Sequence, residues 1–149
     1  MLESVELSPH ECEELLRSTR TGRVAVSTPH GPHIVPVNYA VVDAPGGMVV
    51  VLRTTPYSVV GTHARGAVMA LEADDIDPEH QRGWSVLVRG RADVVDVADD
   101  PAVAEAVERA RPPRPWAAGS RTLTVGIRID EISGRRLGHD RHEVGVRGA

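Results

Sequence analysis

The stretch VVVLRTTPYSVVGTHARGA, residues 49–67, opens as a run of β-branched residues and closes as a short helix. At the junction Arg53, Thr54, Thr55 and Ser58 form a cluster of donors with no acidic residue among them. A strand that runs through Pro56-Tyr57 into a helix presents free backbone N–H groups where the helix dipole favours an anion. Such a place suits a phosphate. The same residues also read as an ordinary cap, because Thr55 or Ser58 needs only to accept one N–H bond at the helix start. Locally both readings stand.

Working outward, Ser8-Pro9-His10-Glu11 reads as a helix opening with a capping box, its apolar face supplied by Leu15 and Leu16. That helix is expected to end near residues 19–21. Strands follow at 23–28 and 33–42, the second holding Pro36, which marks an edge, a bulge or a place where a ligand replaces a neighbour. Residues 43–47 form the turn of a hairpin with a strand over 48–54. Residues 67–73 read as another strand and the acidic segment 74–82 as a loop. In GWSVLVRGRADVVDV the residues Val86, Val88, Gly90, Ala92 and Val94 share one face, opposite Arg89, Arg91 and Asp93. Asp99-Asp100-Pro101 caps a helix to about Ala110, a basic RPPRPW linker follows, and TLTVGIRI alternates cleanly as a last strand. About six strands and three helices, joined mostly by tight turns, define an antiparallel barrel or sandwich with helices at its ends. No Gly-x-Gly-x-x-Gly signature or βαβ alternation supports a Rossmann domain.

Bulk properties bound the function. The 149 residues suffice for one domain, and with no Phe, two Trp and two Tyr, valine and alanine must build the core. A formal net charge of -4 gives no electrostatic support to nucleic-acid binding. The single Cys12 fits a reducing cytosol, and its glutamate neighbours disfavour a thiolate. With no basic, apolar leader and no run of about 20 apolar residues, a soluble cytoplasmic domain without membrane contact is expected. The histidines are scattered, the closest pair being His139 and His142, so no metal site is expected. No nucleophile elbow is present. In IVPVNYAVVD, Pro36 leaves a neighbour's carbonyl unpaired and Asn38 offers a donor and an acceptor. These groups suit either a flat ring with imide edges or a plain edge strand.

Taken in order, TGRVAVS, GPHIVPVNYAVVD, MVVVLRTTPYSVVGTHARGAVMALEADDID and GWSVLVRGRADVV resemble the pyridoxamine 5'-phosphate oxidase-like family of FMN-binding split barrels, and within it the small actinobacterial-type members. The resemblance covers about residues 8–137. It implies a mainly β fold, a six-stranded antiparallel split β-barrel with a few flanking helices over residues 1–138, and a frayed tail over 139–149. It also implies a homodimer with FMN in a cleft at the interface. Carried over by position, Val35, Pro36, Val37 and Asn38 would lie along the isoalloxazine ring. Arg53, Thr54 and Thr55 would meet the ribityl and phosphate region, and Ser58 would complete the phosphate cradle. Trp84 and Ser85 would approach from the partner subunit, with Trp116 and Arg121 at the cleft edge.

The implied function is an FMN-dependent oxidoreductase or reductase of a small-molecule substrate, Asn38 and strand 34–38 stabilising the reduced flavin. No proton donor stands out, Tyr39 and His63 being the candidates. A deazaflavin coenzyme is a related expectation. A non-catalytic flavin, deazaflavin or haem storage or sensing protein is the alternative, and a purely structural dimer a third. The residues that recognise pyridoxal phosphate are not recognisable here, so a true pyridoxamine 5'-phosphate oxidase is not expected. Val59-Val60 stand where flavin-retaining members carry Lys or Arg-Lys. A missing charge-assisted contact weakens phosphate capture by about 1.5–3 kcal/mol.

Overall fold

The computed structural model describes residues 3–111 and 122–138. Along the chain these form β1 (Ser4–Glu6), α1 (Pro9–Ser18), β2 (Thr21–Thr28), β3 (Gly31–Ala44), β4 (Gly47–Thr54) and α2 (Val59–His63). There follow β5 (Val68–Asp77), β6 (Arg82–Val94), α3 (Pro101–Ala110), β7 (Leu123–Arg128) and β8 (Glu131–Leu137).

Six antiparallel strands close a ring in the order β2-β3-β4-β7-β6-β5 and back to β2. Two long strands make this closure possible by dividing their length between partners. In β3, Gly31–Asn38 pairs with β2 and Tyr39–Ala44 with β4. β6 pairs with β5 through Arg82–Arg91; along its other edge Gly83–Arg89 pairs with β8 and Ala92–Val94 with β7. At the switch stands Gly90, where an added Cβ would run into the carbonyl oxygen of Arg128. The chain is thus a barrel split along the point where β6 changes neighbour.

Alternation sets the core. Val24 and Val26 of β2, Leu71 of β5, Val86 and Val88 of β6 and Ile127 of β7 point inward and are fully buried. Helix α1 opens with the expected capping box, Ser8 N donating to Glu11 Oε2 at 2.8 Å and Glu11 N to Ser8 Oγ at 3.2 Å. It sends Cys12 and Leu16 into this core, where burial and Glu11 push the Cys12 thiol pKa up. Helix α3 lies on the outside of the smaller sheet, with Val103 and Val107 against Val42, Val49 and Val51. Its N-cap is Asp100, as expected.

Besides β3, which spans Gly31–Ala44 rather than 33–42, three features differ from the sequence reading. The acidic segment is a loop only at 78–81, because β5 continues to Asp77 in register with β6. Asp74 faces outward, and Asp75 and Asp77, though on the parity of Leu71 and Ala73, stand past the buried stretch that ends at Ala73, so acidity there costs no core contact. Second, α1 ends at Ser18 and β2 begins at Thr21. Third, β1 and β8 add a two-strand extension beyond the ring. All three residues of β1 are exposed, which leaves no hydrophobic alternation to read. The 139–149 tail, the RPPRPW linker after Arg111 and His139–His142 lie outside the described residues.

One broad surface remains bare. The outward face of β3, β2, β5, β6 and β8 carries no helix among the described residues. It exposes Ile34 (72%), Val68 (60%), Ile76 (62%), Leu87 (37%) and Leu137 (49%).

Candidate functional site

The open edge of β3 is the first feature of the site. Tyr39 N donates to Arg20 O at 2.9 Å, on the β2 side. By strand alternation Ile34, Pro36 and Asn38 therefore turn their backbone groups to the opposite edge. No described strand pairs with that edge before Tyr39 meets β4. Pro36 thus sits where its missing N–H breaks no ladder bond. Its side chain and those of Ile34 and Asn38 face outward, whereas Val35 and Val37 pack against the core.

Arg53 joins this strip through register. Tyr39 opposes Leu52, so Asn38 and Arg53 are the next residues on each strand and share the outward parity. Arg53 opposes Thr124 of β7 and is half-buried, with no ion pair among the described residues. Asn38 accepts from Thr21 Oγ1 at 3.3 Å, and its amide N–H groups have no partner among the described residues.

Ser58 is different. Its Oγ accepts from Gly61 N at 2.9 Å, lies 2.6 Å from Thr54 Oγ1 and donates to Thr55 O at 2.8 Å. One donor and two acceptor positions are all a hydroxyl has, so Ser58 is fully engaged as the cap of α2. The first turn of α2 passes so close to Thr55 that a Cβ on Gly61 would strike the Thr55 carbonyl oxygen. Val60 is 1% exposed in the core and Val59 packs partly against it. These valines fasten α2 to the barrel, and position 60 faces away from solvent.

Trp84 and Ser85 lie elsewhere in the protomer. Asn38 opposes Thr21, the β2–β5 register continues to place Thr21 by Asp74, and Asp74 opposes Ser85. Three strand spacings, about 14 Å, therefore separate Asn38 from Ser85. Trp84 and Ser85 border a groove of about 520 Å³ beside the 78–81 turn.

Across the bare face, Arg23 bridges Glu72 at 2.9 Å and Asp74 at 3.1 Å. Burial, then the neighbouring Asp74, raise the Glu72 pKa, and Arg23 opposes the rise. Tyr39 is fully buried, its hydroxyl donating to Leu16 O at 2.6 Å; burial, then Glu72, push its pKa well up. It is out of reach of a ligand on the outer face. His63 Nδ1 is tied to Val59 O at 3.0 Å. Trp116 and Arg121 lie outside the described residues. Sequence reasoning missed the groove, whose walls come from the turn after β5 and from β8, the unread strand.

A six-stranded antiparallel ring whose β3 leaves part of its edge open defines a split-barrel protein. The family described as pyridoxamine 5'-phosphate oxidase matches residues 8–136, and the chain belongs to that family. It is 36% identical over 138 residues to an uncharacterised protein of Mycobacterium tuberculosis, covering 91% of this chain and 86% of the relative. It is also 36% identical to the FAD-binding protein of Mycobacterium smegmatis, with a TM-score of 0.71 over 89% of this chain and 98% of that one. A FAD-binding protein of Mesorhizobium loti, 22% identical, shares the fold with a TM-score of 0.71, over 92% of this chain and 98% of that one. No helix among the described residues is long and apolar enough to cross a membrane.

Proposed function

We propose that the protein binds a flavin, FMN, in a cleft between two copies of the chain and uses it to oxidise or reduce a small molecule. The observation that carries this reading is the coincidence of the open β3 edge with Asn38 and Arg53 on one outward strip. A flat ring with imide edges finds there the backbone groups of Ile34, the Pro36 carbonyl, the Asn38 N–H and the Asn38 side-chain amide. The Arg53 guanidinium and the Thr55 hydroxyl take the phosphate end. The FAD-binding relative in Mycobacterium smegmatis supports a flavin ligand. A second copy laid on the bare face would cover its exposed apolar side chains and bring Trp84 and Ser85 toward the cleft of the first.

A bound flavin supplies hydride and electron transfer. Asn38 and the edge N–H groups would hold its imide edge and favour negative charge there. One observation favours storage or sensing instead. With Ser58 closed and Val60 buried, the phosphate meets a single guanidinium, which suits an exchangeable ligand.

Titration of the purified protein with FMN and with FAD, read by flavin fluorescence, tests the reading. Saturable binding is expected, and Arg53→Ala should weaken FMN about 10- to 100-fold, as for a lost charge-assisted bond. Unchanged fluorescence at high micromolar protein, or equal affinity of the variant, overturns it. Multiple turnovers with a nicotinamide donor and an acceptor separate the oxidoreductase from the storage protein.

A further inference from the structure

We propose that the groove beside the 78–81 turn binds a small molecule with a flat apolar body and one anionic group, a carboxylate or a phosphate ester. Its placement next to a flavin rests on the reading above; the chemistry of the ligand does not.

The groove has a structural cause. Ile76, Gly83 and Leu137 stand in one row across β5, β6 and β8, on the outward face. With no side chain at the middle position, two exposed aliphatic walls flank a bare backbone floor. The floor is held to glycine by contact: a Cβ there would lie 2.5 Å from Asp75 O and 2.9 Å from Ile76 Cα. Pro78 completes the apolar lining, and half-buried Trp84, on the opposite parity to Gly83, packs against the core beneath the floor. A volume of about 520 Å³ falls in the range of small-ligand sites.

Charge selects the ligand. Arg82 and Arg135 line the groove, against one acid, Asp77. That carboxylate accepts from His80 N at 3.2 Å and meets His80 Nδ1 at 2.7 Å, contacts that hold its pKa below the usual range. Arg82 approaches it only through Nε, at 3.5 Å, so its terminal N–H groups have no partner among the described residues. Arg135 opposes Glu6 across β1 and β8 without forming an ion pair. Two guanidinium groups around an apolar trough match an anion carried on an apolar body.

Trp84 and Trp116 are the two tryptophans of the chain, so Trp116→Phe leaves Trp84, which borders the groove from beneath its floor, as the single fluorescent reporter. In this background 2-naphthoate should quench Trp84 saturably, and the neutral 2-naphthalenemethanol should bind at least about tenfold more weakly. Arg135→Gln, and separately Arg82→Gln, should weaken naphthoate about tenfold and leave the alcohol unchanged. Equal binding of acid and alcohol, or naphthoate affinity unaltered in both variants, overturns the proposal. Repeating the titration with saturating FMN decides the occupant. Unchanged naphthoate affinity supports a separate ligand site, and competition assigns the groove to the flavin and overturns the proposal. If no flavin binds yet the acid-over-alcohol preference persists, the flavin reading falls and the groove assignment stands.

Discussion

Arg23 holds two carboxylates that would otherwise repel one another, and the balance shows in the ionisation of Glu72. A carboxyl whose pKa is raised in the fold binds its proton more readily there than in the unfolded chain. Its ionisation therefore erodes stability as pH rises above the ordinary value of about 4.5. Glu72→Gln should gain thermal stability relative to the parent as pH goes from 4 to 7, with Arg23 still paired to Asp74. Melting curves across that range check it; a variant less stable than the parent at pH 7 sinks the assignment. Type and rough position were readable for Arg53 and Asn38 in the sequence. That Arg23 would be spent on Glu72 and Asp74, about fifty positions away, was not, because only β2–β5 pairing brings them together.

At the scale of elements, α2 shows a short motif with two readings resolved by contacts. Five residues of helix cannot stand alone, and it is fastened by the Ser58 cap and by Val60 in the core. Ser58→Ala should cost about 1 kcal/mol, read as a lower urea midpoint with unchanged slope. Val60→Lys should cost several kcal/mol, since an ammonium would be buried without a partner. Val59→Lys, at a half-buried position, should fold and tighten FMN if that residue reaches the phosphate end; circular dichroism with flavin titration separates the two substitutions. The absence of a basic residue at position 60 is thus a packing requirement. Element type was legible wherever alternation or a capping box was strong, as in α1, α3, β6 and β7. It was illegible where pairing alone makes the strand, as in β1 and the acidic end of β5.

For the whole molecule, the bare face of the larger sheet is the feature that asks for a partner. Apolar side chains at Ile34, Val68, Ile76, Leu87 and Leu137 lie around the Arg23 cluster, a mixed surface of the sort that interfaces use. Leu87 stands mid-sheet in the row Pro36–Arg23–Glu72–Leu87–Ser133. If a second copy covers this face, Leu87→Lys should shift the protein from dimer to monomer in sedimentation velocity and lower flavin affinity with it. A parent protein that sediments as a monomer at tens of micromolar refutes the dimer.

The sequence by itself determined the class of fold, the capped helices, the inward sets of the long strands and the residue types of the candidate site. Those signals act over two to four positions, where spacing alone decides which side chains share a face. Only the tertiary structure decided that the β3 edge stays open, that Ser58 is saturated, that Val60 is core and that a glycine-floored groove lies between β5 and β8. Each depends on which distant strand supplies the neighbouring hydrogen bonds. That choice is made by ring closure and core packing, through β3 and β6 changing partners midway, and no local pattern encodes it.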